Sequence, residues 1–208
     1  MEHFGIIFKK SKYGYSLTRD NYIYPSKKSS FNSEYYDDRY IAFQTRRALF
    51  NFDLNMKFFS SLDKMEFEDS LQKFLKTYPQ FLKVNDLNKY DLTRGYYILI
   101  LDKYKQIYIG STNNIRRRIC QHWTNRKQFD RLIFGSIFTS RLSIDSFRPL
   151  DTTKIYVYPT RDIFKDENNF ILKFPDKFII NRTKGGILDN GLKDAVSKRK
   201  TRNLDLKI

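Results

Sequence analysis

The chain predicts a mixed α/β fold, and three observations predict it. Residues 96–111 set two apolar runs on either side of a polar turn, as a hairpin does. Directly after them, Ile115, Ile119 and Trp123 recur at the four-residue spacing of a helix. An apolar run at 154–158, followed by helical spacing to Phe174, repeats the pairing of strand with helix.

Taken in order, residues 1–60 mix aromatic and polar positions, as in Tyr13-Gly14-Tyr15-Ser16-Leu17 and Tyr40-Ile41-Ala42-Phe43. They predict short strands with turns at Pro25-Ser26 and near Ser29-Ser30. Residues 66–78 predict a helix, because Phe67, Leu71, Phe74, Leu75 and Tyr78 share a face and Pro79 closes it. Asn85–Asp91 is a polar connection, and a boundary is placed near residue 92. Residues 1–92 then form an extension, β-rich and helical, that either stands alone or packs on the second part of the chain, as a candidate DNA-binding or dimerisation region.

The hairpin runs Tyr97–Leu101, turn Asp102–Lys105, and Gln106–Gly110. Thr112 or Asn113 is the expected N-cap of the next helix. At about 100° per residue, Arg118 and His122 lie side by side at the edge of its apolar stripe. Arg117 points to solvent and Arg116 sits on the flank. The second helix is expected from about Thr160 to Phe174, stopping at Pro175. Its face is Ile163, Phe170, Ile171 and Phe174, with Glu167 inside the arc. Ser136–Asp151 receives no element. The end, residues 188–208, is a basic tail containing Lys198-Arg199-Lys200-Thr201-Arg202.

Composition narrows the function classes. The 208 residues allow one domain or two small ones, and 19 Phe with 15 Tyr can build a core without disulfides. The single cysteine, Cys120, excludes a disulfide framework and a multi-cysteine zinc site, and fits a reducing cytoplasm. No leader opens the chain and no run of about 18 apolar residues occurs, which argues against secretion and membrane spanning. Formal charge is +16. Residues 1–92 hold 15 Lys/Arg against 12 Asp/Glu, and residues 93–208 hold 24 against 11. The surplus therefore sits in the half that carries the hairpin, and a polyanion is its natural partner. Arg116, Arg117, Arg126 and Lys127 are the candidate phosphate contacts.

Several residues stand out chemically. Glu167 on an apolar stripe needs compensation, from a cation or from an arginine such as Arg118. His122 is one of only two histidines, so it cannot build a zinc site but can serve proton transfer or orientation. Tyr97 and Tyr108 lie eleven residues apart on paired strands, each near a glycine. Either can be core. A phenol beside arginine and a metal ion is expected to have its pKa drawn down.

Gly95-Tyr96-Tyr97 and Tyr108-Ile109-Gly110, with Arg118, His122, Glu167 and Asn181, resemble the GIY-YIG nuclease family. The resemblance covers roughly residues 93–187, with Tyr96 where the family usually has isoleucine. It implies a small central antiparallel sheet flanked by helices, and metal-dependent hydrolysis of DNA phosphodiesters. Glu167 is then the ligand of Mg²⁺ (or Mn²⁺), and Arg118 meets the charge that grows on the phosphate. Tyr97 or Tyr108 positions or deprotonates the attacking water with help from His122, and Asn181 orients Glu167 or a strand.

Homing enzymes of this kind usually place the nuclease first, with a long DNA-binding tail after it. The expectation here is therefore a small stand-alone or restriction-like endonuclease, with a homodimer as one route to double-strand cutting. The alternatives are a non-catalytic nucleic-acid-binding protein on the same fold, or a nuclease for single-stranded DNA or RNA.

Overall fold

A turn at Phe4-Gly5, with both residues at positive φ, folds strand β1 (Glu2–His3) onto β2 (Ile6–Ile7). Helix α1 (Arg19–Tyr22) opens on a capping box between Thr18 and Asn21. Asp37 then caps a long helix, α2 (Asp38–Ser61), by accepting from the Tyr40 N–H at 2.6 Å. A second capping aspartate, Asp63, starts α3 (Lys64–Thr77), which ends one residue before Tyr78 and Pro79 close it. The chain continues through β3 (Leu82–Val84), β4 (Gly95–Leu101), β5 (Gln106–Thr112), α4 (Ile115–Thr124), β6 (Lys154–Pro159) and α5 (Glu167–Lys173). This computed structural model describes residues 1–9, 14–30, 32, 34–163 and 165–182. Tyr13 of the first expected strand and the basic tail 188–208 lie outside the described residues.

The larger sheet is antiparallel throughout, in the order β3-β6-β4-β5. All seven residues of β4 are buried. An inner strand covered on both faces reads as one apolar run rather than as an alternation. The β4–β5 hairpin has the expected turn, closed by Lys105 at φ 50°, and its register sets Tyr97 opposite Gly110. That pairing requires glycine. A Cβ at position 110 would stand 2.5 Å from the Tyr97 hydroxyl. At Gly95, φ is +151° and a Cβ would meet the Tyr158 carbonyl oxygen.

Three expectations are corrected. Tyr40–Phe43 lies within the first two turns of α2, not in a strand. The buried face of α2 carries Gln44, Asn51 and Asn55 beside Ala48, Phe52 and Phe59, so no clean apolar stripe marks it in the sequence. The two asparagine amides donate to the Ser140 carbonyl at 3.0 and 2.9 Å, and Asn51 also donates to the Ile137 carbonyl at 2.9 Å. They tie the helix to the segment that received no element.

The second correction is the N-cap of α4. It is Asn114, whose side chain accepts from the Arg117 N–H, because β5 continues as far as Thr112. Third, α5 begins at Glu167 rather than near Thr160. The Tyr96 hydroxyl donates to the Asp162 carbonyl at 2.8 Å and accepts from the Asp166 N–H at 3.0 Å, holding the chain before α5 in a loop. Glu167 thus stands in the first turn of α5 and not midway along an apolar stripe.

One hydrophobic core runs through both halves of the chain. Phe81 packs edge-on to Phe170 at 5.2 Å between ring centroids, Phe67 to Phe178 at 5.4 Å, and Phe59 to Tyr104 at 5.7 Å. Strand β3, from before residue 92, pairs with β6 and completes the sheet.

Candidate active site

The hairpin, α4, the start of α5 and the chain after α5 converge on a cleft of about 220 Å³. Tyr108, Arg118, His122, Glu167 and Asn181 line it, with Lys127, Asp145 and Arg182. A larger open depression of about 660 Å³ lies between Arg94 and Arg161, with Leu92, Pro159 and Thr160. Its lining holds no carboxylate, histidine or phenol, so the smaller cleft is where acid–base chemistry can be done.

Tyr97 stands behind the cleft. It is 1% exposed, and its hydroxyl lies 2.8 Å from Nε2 of His122. Its ring lies 6.0 Å from that of Tyr108, which lies 5.1 Å from the His122 imidazole. On its other side, His122 places Nδ1 2.7 Å from an Asp145 carboxylate oxygen. Burial drives the Tyr97 pKa well above 10, and burial with the Glu167 charge pushes Tyr108 up to about 12. Arg118 pulls both phenols down, as expected of an arginine, but in the protein's own field burial outweighs it.

His122 is pushed below its ordinary value by burial, against the pull of Asp145. Burial works to raise the Asp145 pKa, but the hydrogen bond to His122 and the charges of Lys127 and Arg118 hold it low.

Glu167 accepts a short hydrogen bond from the Ser111 hydroxyl. Burial lifts its pKa, opposed by Ser111 and by Arg118. Its carboxylate enters no ion pair among the described residues. No group of three metal-ligating side chains occurs among them either. A half-buried carboxylate that opens on a cleft beside a hydroxyl, outside any such ion pair, fits an ion that keeps most of its waters, as Mg²⁺ does. It does not fit a dedicated protein cage.

Asn181 grips β5 from the side. Its amide donates to the Ile109 carbonyl at 2.7 Å and accepts from the Ile109 N–H at 3.1 Å, which fixes the strand between Tyr108 and Gly110. Of the four expected phosphate contacts, Lys127 lines the cleft and Arg117 is exposed on α4. Arg116 is engaged with Asn88 and Asp91, and Arg126 lies over the Tyr24 ring at 3.2 Å. Burial beside Arg182 lowers the Lys127 pKa. Arg182, absent from the sequence-based set, donates to the carbonyls of Arg141, Arg131 and Leu132. Asp145 and Ser111 were also missed. A serine in a strand carries no signal, and Asp145 sits in the segment without periodicity.

No helix among the described residues is long and apolar enough to cross a membrane. No curated protein and no solved structure matches the chain. Residues 94–177 match the family described as GIY-YIG catalytic domain. Those residues supply the hairpin, Arg118, His122 and Glu167, while Asn181 comes just beyond. Over residues 94–177 this protein is therefore similar to a GIY-YIG catalytic domain, the catalytic unit of a nuclease-type family.

Proposed function

We propose that the protein is a metal-dependent endonuclease that hydrolyses DNA phosphodiester bonds. One observation carries this reading above the others. The Glu167 carboxylate, half-buried and outside any ion pair among the described residues, opens on the same cleft as Tyr108, Arg118 and His122. Glu167 would hold Mg²⁺ (or Mn²⁺), with Ser111 steadying one carboxylate oxygen. The ion, when bound, neutralises phosphate charge and stabilises the leaving oxygen.

The remaining roles belong to the side chains. Arg118, exposed on the cleft, meets the charge that builds on the phosphoryl oxygens. Tyr108 lines the cleft whereas Tyr97 is buried behind it, so Tyr108 orients the attacking water. His122 and Tyr97 form the hydrogen-bonded support of that phenol. Asn181 holds β5, and with it Tyr108, in register. Arg117 and Lys127 contact the flanking phosphates, in keeping with the basic surplus of residues 93–208.

One such cleft is found among the described residues, and it would cut one strand at a time. A restriction-like enzyme acting alone in the cytoplasm would then cut duplex DNA as a homodimer or by two successive nicks.

The test is incubation of supercoiled plasmid with the purified protein and Mg²⁺, beside Glu167→Ala. Wild type should nick or linearise the plasmid. The variant should stay folded and retain DNA on a gel without cutting it. Retention by both proteins with no cleavage by either would leave a binding protein on a nuclease fold.

A further inference from the structure

The segment Ser136–Asp151, for which the sequence predicts no element, carries a carboxylate into the site. Ser143 caps a short 3₁₀ turn at Ile144–Ser146, its hydroxyl accepting from the Asp145 N–H at 3.4 Å. The Arg148 guanidinium donates to the Asp145 carbonyl, also at 3.4 Å. Arg148 also donates to the Asn125 carbonyl at the end of α4, at 3.2 Å, so the turn is held against that helix, with Asp145 facing Nδ1 of His122 at 2.7 Å and Tyr97 facing Nε2 at 2.8 Å.

We propose that Asp145 is a positioning residue: it fixes His122 as the tautomer with its hydrogen on Nδ1, so that Nε2 can only accept from the Tyr97 hydroxyl. The role deepens the hydrolytic reading of this cleft and rests on it. A carboxylate cannot donate, so the hydrogen between Asp145 and the ring belongs to Nδ1. Burial keeps the imidazole neutral, which leaves Nε2 with a lone pair. The Tyr97 O–H then points at that lone pair, and the phenol oxygen faces Arg118 and Tyr108 as an acceptor on the side of the cleft.

If the Tyr97 proton moves, the O–H bond breaks and an N–H bond forms at Nε2. The products are a phenolate and an imidazolium. The imidazolium keeps its Nδ1–H on the Asp145 carboxylate, which balances the new charge. Without Asp145, both tautomers of the neutral ring become accessible, and the one with hydrogen on Nε2 cannot take that proton.

The chain contains two histidines, so the ring nitrogens can be read directly by ¹⁵N NMR. His3 places Nε2 2.8 Å from the Thr152 carbonyl, which can only accept, so it carries its hydrogen on Nε2 and serves as the internal contrast. His3→Gln assigns the two signals. At neutral pH, wild-type His122 should show a single neutral form with hydrogen on Nδ1. Asp145→Ala should lose that single form and slow Mg²⁺-dependent nicking by about 10- to 100-fold, on the scale seen when a carboxylate behind a metal-bound histidine is removed.

A wild-type His122 with hydrogen on Nε2 overturns the proposal, and that measurement needs no variant to fold. An alanine variant that keeps the Nδ1 form, or that nicks at the wild-type rate, overturns it as well. If the tautomer result holds while wild type cuts no nucleic acid, the hydrolytic reading falls and the assignment of the ring stands.

Discussion

Arg118 is exposed on the cleft, yet its charge bears on Tyr97, Tyr108 and Glu167 together. A guanidinium so placed does little for ground-state binding that the other basic residues cannot do. In the proposed reaction its value is greatest when charge grows on the phosphate. Arg118→Ala should therefore slow single-turnover nicking by about 100- to 1000-fold, the usual loss for an oxyanion-type donor, with DNA retention nearly unchanged. Arg118→Lys should recover only a fraction, because an ammonium cannot present the planar fork. An unchanged single-turnover rate in the alanine variant would remove Arg118 from the chemistry. At this scale the sequence was informative where spacing carries meaning: Tyr97, Tyr108, Arg118, His122, Glu167 and Asn181 all lie in or against the cleft. Asp145 and Ser111 were not legible, because each gains its role only from a partner brought close by folding.

Among the elements, Tyr96 shows what a motif position can hide. Its ring is fully buried and stacks on Tyr158, as a packing residue would. Its hydroxyl, however, bonds both Asp162 and Asp166, and so decides where α5 starts and where Glu167 stands. A helix read from periodicity alone begins too early, near Thr160 instead of at Glu167, because Ile163 fits the stripe and a tertiary hydrogen bond overrules it. Tyr96→Phe should lower stability by about 1–3 kcal/mol, since it strands the Asp166 N–H. It should also weaken Mg²⁺-dependent nicking, because the first turn of α5 loses its anchor. Urea unfolding and plasmid nicking check the two effects separately. A variant with wild-type stability would mean that the Asp166 N–H finds another acceptor. Helix α2 was hidden in the sequence for a similar reason: its buried face spends two positions on asparagines that bind the Ser140 carbonyl.

Across the whole molecule, the question is whether residues 93–208 work without residues 1–92. The charge surplus and the family match both favour an independent catalytic half, and the sequence places a boundary near residue 92. The packing argues the other way. Strand β3 pairs with β6 at Leu82–Val157, Lys83–Tyr156 and Val84–Ile155. Phe74 and Phe81 cover Phe170 on α5, and Phe67 covers Phe178 just before Asn181. Lys105 in the hairpin turn donates to the Leu62 carbonyl. Removing residues 1–92 would bare these rings and open the edge of β6, next to the strand that carries Tyr97. Burying one large aromatic ring contributes about 1.5–3 kcal/mol, so losing several together exceeds the margin of an ordinary domain. A chain starting at residue 93 should therefore show no cooperative thermal transition by circular dichroism, should bind a hydrophobic dye, and should not nick plasmid. Cooperative unfolding together with Mg²⁺-dependent nicking by that shortened chain would instead make residues 1–92 a separable module, and the shared core would then be a docking surface rather than a condition of folding.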